Sequence, residues 1–152
     1  MKKKLNFQTK AIIAGRSVDA ISGKTFETFN PANGKVLAKI ARCEKADADA
    51  AVKAARNAFE NGPWPKMSPA ERKVILQRFA TLIEAHTDEL AELEAIEAGK
   101  PISDCIEIDL PEPIGTIRWH AEAADKIYDQ LSPSGSGVVS MIVREPIGVV
   151  AA

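Results

Sequence analysis

The sequence has almost no net charge, although it is rich in charged residues. Lysine and arginine together number 20 against 21 aspartates and glutamates, which gives a formal net charge of -1. Proteins that bind nucleic acid or anionic membranes commonly carry an excess or a patch of positive charge. The composition therefore favours neither nucleic acid nor a membrane as a partner.

Long apolar runs are also missing from the sequence. No segment approaches the roughly 20 consecutive apolar residues that a membrane-spanning helix needs. The basic start, residues 1–7, resembles the opening of a signal peptide, but Gln8, Thr9 and Lys10 interrupt the apolar core that should follow. We therefore expect residues 1–11 to be a flexible leader and the protein to be cytoplasmic.

Cysteine is scarce, and its placement favours a packing role. Cys43 and Cys105 are far apart and lack the spacing of metal ligands. A reducing compartment makes a disulfide between them unfavourable. Neither residue lies beside a sequence signature that would supply an activating base, so we interpret both as small buried side chains rather than nucleophiles.

Two glycine-containing segments lack the features of nucleotide-binding motifs. Residues 99–101 (GKP) lack the other glycines and the Ser or Thr of a P-loop, and they are more typical of a helix end. The region around Gly148 contains no G-x-G-x-x-G sequence. The histidines and tryptophans are no more specific: His86, His120, Trp64 and Trp119 are more typical of packing than of catalysis or stacking on a ligand.

Residues 12–41 have the pattern of β-structure. Apolar and polar side chains alternate in residues 25–30 and again in residues 36–40, as in two half-buried strands. Residues 31–34 (PANG) separate these strands, and Asn33 followed by Gly34 tolerates the positive φ angles of a tight turn. The sequence therefore predicts a β hairpin.

After Lys45 the apolar pattern becomes helical and predicts three helices. The first begins at Asp47 and stops at residues 61–63, and the second is capped by Ser68 with Glu71 in a capping box. The third is capped by Thr87 and ends at Gly99 and Pro101. The predicted buried stripes are Ala48, Ala51, Val52, Ala55 and Phe59 on the first helix, Ile75, Phe79, Leu82, Ile83 and His86 on the second, and Leu90, Leu93 and Ile96 on the third.

The last third of the sequence returns to β-structure after further helical segments. Residues 103–110 predict a short helical turn, and a further amphipathic helix is marked by Ile114, Ile117, Ala121, Ala124 and Tyr128. Residues 138–144 predict a strand, and the apolar run 147–152 predicts a second strand of the kind buried inside a parallel sheet. The sequence thus predicts an α/β fold with an N-terminal β hairpin, four to five helices, and the first strand of an incomplete parallel sheet.

Four segments in order resemble the N-terminal part of the NAD(P)-dependent aldehyde dehydrogenases. They are residues 25–34 (TFETFNPANG), 51–59 (AVKAARNAF), 94–101 (EAIEAGKP) and 144–149 (REPIGV). The resemblance runs from about Ile12 to the final residue. Residues 117–128 and 141–146 look most similar to the bacterial γ-glutamyl-γ-aminobutyraldehyde dehydrogenases of putrescine breakdown.

The resemblance implies a long enzyme with a dinucleotide-binding domain, a catalytic domain and a β-stranded oligomerisation arm. Residues 12–136 would form the N-terminal part of the first domain, residues 137–146 the arm strand, and residues 147–152 the start of the nucleotide-binding sheet. It also implies NAD or NADP as cofactor, a homo-oligomer, and the remainder of the parent enzyme as the partner of this chain.

The family mechanism implies that the catalytic residues lie elsewhere. In that mechanism a thiolate attacks the aldehyde, donors stabilise the oxyanion, hydride passes to the nicotinamide, and a carboxylate activates water. In the family the oxyanion-hole Asn follows the position of Ala152, and the nucleophilic Cys and general-base Glu come later. We therefore expect no catalytic or cofactor-binding residue, no bound cofactor and no activity in this chain by itself.

The resemblance also implies a monovalent-cation site. Some members of the family hold a cation with backbone carbonyls after the first β segment and with an acidic residue before Gly-Lys-Pro, and the matching positions are Thr28, Phe29 and Glu97. The family more often has Asp at the position of Glu97. Glu92 and Glu94 lie on the same predicted helix, where acidic residues commonly form a solvated face.

A short, non-catalytic interaction module is the competing interpretation. Such a module would retain the arm strand and pair with full-length subunits by strand addition. A natural short protein would protect its terminal strand with charge, proline or a polar tail, because unpaired strand edges aggregate. Residues 149–152 (VVAA) have none of these, which favours a segment of an aldehyde-oxidising enzyme.

Overall fold

The computed structural model describes residues 5–151, so residues 1–4 of the predicted leader and Ala152 lie outside the described residues. The strands form three antiparallel pairs: β1 (Ala11–Ile13) with β2 (Arg16–Val18), β3 (Thr25–Phe29) with β4 (Val36–Ala41), and β5 (Gln130–Ser132) with β6 (Ser140–Ile142). The helices are α1 (Lys45–Asn61), α2 (Pro69–Ala85), α3 (Thr87–Ala98), α4 (Ile102–Asp104) and α5 (Pro111–Ala123), with a 3-10 turn at Trp64–Lys66 and a π-helical turn at Cys105–Asp109. This order confirms the predicted α/β arrangement with its N-terminal hairpin.

The β3–β4 hairpin closes as its turn residues predict. The backbone N–H of Gly34 donates to the Asn30 carbonyl at 2.8 Å, and the Asn30 N–H donates to the Lys35 carbonyl at 2.8 Å. Gly34 adopts a φ of 68°, which a residue with a side chain rarely takes. The Asn30 side chain also accepts from the Ala32 N–H at 2.8 Å, so the turn is held from both sides.

Local capping chemistry fixes two of the helix ends. The Glu71 N–H donates to the Ser68 hydroxyl at 3.3 Å and the Ser68 N–H donates to the Glu71 carboxylate at 2.7 Å, which is the predicted capping box. Gly99 ends α3 in the left-handed conformation, with a φ of 73°. Thr87 is the first residue of α3 rather than its cap, and its hydroxyl donates to the Glu84 carbonyl at 2.8 Å instead.

Asp47 joins the start of α1 to the loop that follows β2. One carboxylate oxygen accepts from the Ile21 N–H at 2.8 Å, and the other accepts from the Glu44 N–H at 2.9 Å. Asp47 is buried, so both oxygens exchange water for backbone donors. These bonds, that to Glu44 foremost, lower the pKa of the Asp47 carboxyl below its ordinary value. Helix α1 begins at Lys45, two residues before the predicted start at Asp47.

Helices α2 and α5 pack along each other through small side chains. Ala80 on α2 and Ala121 on α5 are completely buried, and the absence of larger side chains at these positions lets the two helices approach closely. Cys105, in the π-helical turn, is also completely buried, and Ile114 on α5 is nearly so. These residues form most of the apolar core of the described chain.

Charged side chains border the contact between α2 and α5. Lys73 on α2 donates to Glu122 on α5 at 2.6 Å. In the opposite direction, Arg118 on α5 donates to Glu84 on α2 at 2.6 Å. Gln77 adds a hydrogen bond to Glu122 at 2.6 Å. The hydrogen bond from Lys73 lowers the pKa of Glu122. The face of α2 that meets α5 is therefore the one that carries Lys73, Gln77 and Glu84.

The predicted burial of the apolar stripes on α1 and α2 is largely wrong within this chain. On α2, Ile75, Phe79, Leu82 and His86 are exposed, Phe79 by 52% and Leu82 by 50%, and only Ile83 of the stripe is half-buried. The reason is that α2 meets α5 through a different face. On α1, Ala48, Val52 and Ala55 are exposed, with Val52 exposed by 54%.

The last predicted helix differs from α5 at both ends. The helix begins at Pro111, before the predicted start after Pro113, because prolines in the first turn need no hydrogen-bond partner for a backbone N–H. It ends at Ala123, so Tyr128, predicted to lie on its buried stripe, is outside the helix and exposed.

The terminal β-structure is shorter than predicted. The strand expected over residues 138–144 is β6, which spans three residues and pairs with β5, a strand that the sequence analysis missed. Residues 147–151 form no strand within the described chain, so the first strand of a parallel sheet stays a prediction for this segment. A strand needs a neighbour to complete its ladder, and no ladder of the described residues extends to this segment.

Replacing Ser68 by Ala should destabilise the chain by about 1 kcal/mol, because the Glu71 N–H at the start of α2 loses its acceptor. The free energy of unfolding in urea would measure the loss. Ser68→Thr is the matched control, since threonine keeps the hydroxyl and should remain near the original stability. An equal loss in both variants would contradict a capping role.

Acid should weaken the chain partly through Asp47. The pKa of Asp47 is lowered in the folded state. Asp47 therefore stabilises the folded state fully at pH values above the ordinary aspartate pKa of about 3.9. This stabilisation is lost as the pH falls through the lower pKa of the folded state. Asp47→Asn removes the titrating group. Urea unfolding midpoints at neutral pH and at about pH 3 should therefore differ less in the variant than in the original chain, and equal differences would refute the assignment.

Candidate functional site

Lys100 is the centre of a small polar cluster behind the end of α3. Its ammonium donates to the Asp109 carboxylate at 2.6 Å and lies 3.9 Å from Glu94. The hydrogen bond to Asp109 raises the pKa of Lys100. Because Gly99 is the left-handed end of α3, residues 99–101 form a helix end rather than a phosphate loop, as predicted.

The two cysteines occupy opposite environments. Cys105 is completely buried, and burial raises the pKa of its thiol, with a further rise from the nearby Asp109 carboxylate. A thiol in this state is mainly protonated, whereas a nucleophile must be a thiolate. Cys43 is exposed, between β4 and α1, so the predicted buried role is confirmed for Cys105 and wrong for Cys43.

The candidate histidines and tryptophans are held by helical contacts. His86 Nδ1 lies 2.8 Å from the Leu82 carbonyl at the end of α2. The rings of His120 and Trp119 meet edge to face with centroids 4.9 Å apart on the exposed side of α5. The structure does not bring His86 or His120 together with either cysteine through any ion pair, hydrogen bond or ring contact described for residues 5–151.

The three predicted cation ligands are distributed over two elements that come close together. Thr28 and Phe29 end β3, and Glu97 lies near the end of α3 with its side chain exposed. Gly99 lies against Pro31, where a methyl group added to the glycine would be 2.8 Å from Pro31 Cγ. Within residues 5–151 there is no cluster of three or more His, Cys, Asp or Glu side chains arranged to hold a metal ion.

A pocket that the sequence analysis missed lies between α1, the 3-10 turn and the C-terminal segment. It has a volume of about 430 Å³ and is lined by Phe59, Trp64, Arg72, Pro146 and Gly148, among others. Most of its surface is apolar, and the Arg72 guanidinium lies over the Trp64 ring, 5.9 Å from the ring centroid. The only sequence signal for this pocket is that Trp64 and Arg72 lie on either side of the 68–71 capping box. This spacing brings the two side chains together only once the 3-10 turn has formed.

Gly148 brings the C-terminal segment against α1. It adopts a φ of 110°, and a methyl group added to it would lie 3.1 Å from Arg56 Nη1. The backbone angle therefore favours glycine here, whereas the flexible Arg56 side chain could move aside for a methyl group. Arg56 in turn lies 5.8 Å above the ring centroid of Phe59, so two guanidinium groups stand beside two aromatic rings at this pocket.

No helix in the described part of the chain is both long enough and apolar enough to cross a membrane.

Curated relatives match nearly the whole chain. It is 51% identical to the aminoacetaldehyde dehydrogenase of Pseudomonas aeruginosa over 96% of its length, and 45% identical to the NADP/NAD-dependent aldehyde dehydrogenase PuuC of Escherichia coli over 97%. The chain spans only 29% and 30% of the lengths of these two relatives.

Solved structures share its fold. The chain superposes with a TM-score of 0.91 on the γ-glutamyl-γ-aminobutyraldehyde dehydrogenase of Burkholderia cenocepacia, with 44% identity over 95% of this chain and 29% of that one. The TM-score is 0.92 for the P. syringae indole-3-acetaldehyde dehydrogenase AldA, with 41% identity over 95% of this chain and 29% of that one.

A family model gives the same assignment as these relatives. The model described as the aldehyde dehydrogenase family matches residues 18–152, which include every helix and all strands from β3 onward. Together with the identities above 40% and the shared fold, this match shows that the chain belongs to the aldehyde dehydrogenase family.

Proposed function

We propose that this chain is the N-terminal portion of an NAD(P)-dependent aldehyde dehydrogenase that oxidises an aldehyde to a carboxylic acid, and that the chain has no activity without the rest of the enzyme. Residues 12–136 would belong to the dinucleotide-binding domain and residues 137–146 to the oligomerisation arm of a cytoplasmic homo-oligomer. Residues 147–152 would begin the nucleotide-binding sheet.

The observation that carries this proposal is the amount of accessible surface left uncovered, part of which is apolar. The chain exposes 11709 Å², whereas a folded monomer of 16.4 kDa is expected to expose about 7,500 Å². Part of the difference lies on the stripes of α1 and α2, where Val52, Phe79 and Leu82 are half exposed or more. An excess of this size is larger than a standard protein interface of about 1,600 Å², and the remainder of a subunit is a partner large enough to cover it.

The cysteines support the lack of activity. The family reaction needs a thiolate nucleophile with a base and oxyanion donors around it. Cys105 is sealed in the core as a thiol of raised pKa, so an aldehyde cannot reach it. Cys43 is accessible, but its position matches no catalytic position of the family.

An aminoaldehyde is the proposed substrate class. The similarity to an aminoacetaldehyde dehydrogenase and to a γ-glutamyl-γ-aminobutyraldehyde dehydrogenase supports this class and a role in putrescine catabolism. NAD or NADP would bind to the complete enzyme, in keeping with the NADP/NAD dependence of PuuC and with the NAD⁺ complex of AldA.

A non-catalytic interaction module is the second candidate, and the β5–β6 hairpin favours it. Leu131 and Met141 on the paired strands, and Val139 just before β6, are exposed, with Val139 exposed by 80%. Two short strands with uncovered side chains and unpaired outer edges could pair with the arm of a full-length subunit.

The monovalent-cation site also stays a proposal. The contact between Gly99 and Pro31 supports it, because it holds the end of α3 near the end of β3, where Thr28 and Phe29 lie. Monovalent cations prefer oxygen ligands of this kind. The exposed Glu97 side chain would complete the set only by turning toward β3.

Activity should appear only when the rest of the enzyme is supplied. We expect the purified chain to form no NADH from aminoacetaldehyde and NAD. Mixed with a polypeptide that carries the remainder of the P. aeruginosa relative, it should form a complex and gain activity. Phe79→Ser, on the uncovered stripe, should weaken that complex, while Arg78→Ser, at the neighbouring exposed position, should not.

Two outcomes would overturn the proposal. Aldehyde-dependent NADH formation by the chain alone, blocked by a thiol reagent, would show that it carries a nucleophile. Failure to bind the remainder, combined with binding to full-length subunits that Met141→Pro abolishes, would favour the interaction module instead.

The cation site predicts a specific stabilisation. Na⁺ or K⁺ should raise the unfolding temperature of the complete enzyme above its value in choline chloride of equal ionic strength, because the bound ion favours the folded state. Glu97→Gln should remove most of this rise, and Glu94→Gln, on the same helix, should keep it. A rise of the same size in both variants would eliminate Glu97 as a ligand.

A further inference from the structure

The pocket beside the 3-10 turn has the shape and size of a ligand site. Its volume of about 430 Å³ falls within the roughly 300–1,000 Å³ typical of small-molecule sites. Phe59 and Trp64 supply aromatic walls, and Pro146 and Gly148 also line the pocket. The lining is mainly apolar, so a ligand would have to offer an apolar body to it.

The charges at the pocket are positive and incompletely balanced. No ion pair joins Arg72 to a carboxylate among residues 5–151, and the residues that line the pocket include no acid. Arg56 has one ion pair, with Glu60 at 3.9 Å, and both side chains of that pair are about half exposed, so it neutralises little.

Arg72 retains unused donors in a fixed orientation. Its Nε donates to the Trp64 carbonyl at 3.3 Å and its Nη2 to the Pro65 carbonyl at 3.4 Å. A guanidinium has five N–H groups, so three remain for another acceptor. The Trp64 ring and the two carbonyls hold the group in place, which reduces the entropy lost when an acceptor binds.

We propose that this pocket binds a monocarboxylate with an apolar body. The carboxylate pairs with the free N–H groups of Arg72, and the apolar body packs between Phe59 and Trp64. A carboxylate fits because its two oxygens match the fork of a guanidinium, and an aromatic or short aliphatic body fits the apolar lining. Arg56, over Phe59, adds long-range attraction for the negative charge.

The site is separate from the chemistry proposed above and does not depend on it. Its residues belong to α1, the 3-10 turn, α2 and the C-terminal segment, all within this chain. Binding can be measured without any turnover.

Titration of the full chain with phenylacetate, followed by NMR or calorimetry, tests the proposal. We expect saturable binding, and binding of the neutral isostere phenylacetamide weaker by about tenfold or more, since it lacks the charge that Arg72 recognises. Arg72→Gln should weaken phenylacetate binding by about tenfold or more, whereas Arg118→Gln, which removes an arginine paired with Glu84, should leave it unchanged.

A second variant allows the proposal to be tested even if the Arg72→Gln variant does not fold. Ala58→Phe fills the pocket without removing a charge and should also abolish binding. Equal affinities for phenylacetate and phenylacetamide, or undiminished binding by Ala58→Phe, would overturn the proposal. So would loss of phenylacetate binding when the remainder of the enzyme is added, because Arg72 would then pair with a carboxylate side chain from that polypeptide.

Discussion

The contact between α2 and α5 determines which side chains of α2 are exposed on the surface of this chain. Ala80 and Ala121 let the two helices meet closely, and ion pairs between Lys73 and Glu122 and between Glu84 and Arg118 fix their alignment. Because this contact uses the mixed polar face of α2, the apolar stripe on the same helix is turned outward. The exposed apolar stripe of α2 is therefore a direct result of the way in which α2 packs on α5. Such an uncovered surface agrees with membership of a family whose curated relatives are more than three times as long.

Most features that depend on neighbours in sequence were predictable, with the Thr87 cap as an exception. The Asn33-Gly34 turn, the Ser68 capping box and the Gly99 helix end follow from local backbone and side-chain chemistry, and all three have the expected geometry. Burial was not predictable to the same degree. An apolar stripe shows that a helix face needs covering but not whether the covering element lies in the same chain. Phe79 and Leu82 are therefore exposed here although they lie on such a stripe. Residues 147–151 illustrate the same limit, since an apolar run becomes a strand only beside another strand.

The candidate sites divide in a similar way. The sequence showed that Cys105 was without a catalytic signature, and its complete burial agrees with that interpretation. The pocket at Arg72 could not be read from the sequence, because it brings together residues from positions 58 to 148 through a turn and a glycine of positive φ. Arg56 and Arg72 look like ordinary helical surface residues until their aromatic neighbours are known. The pocket is recognisable only from the way the fold brings distant residues together, and not from the types of residue that line it.

The π-helical turn at Cys105–Asp109 places one extra residue in the chain just before α5. Each residue of an α-helix corresponds to a rotation of about 100°. Deleting a residue from this turn would therefore rotate α5 relative to α3 by about that angle, carrying Ile114 and Ala121 away from the core and Trp119 to another side. Length variation at this point would change which face of α5 is exposed, so the turn sets the rotational position of the helix as well as burying Cys105.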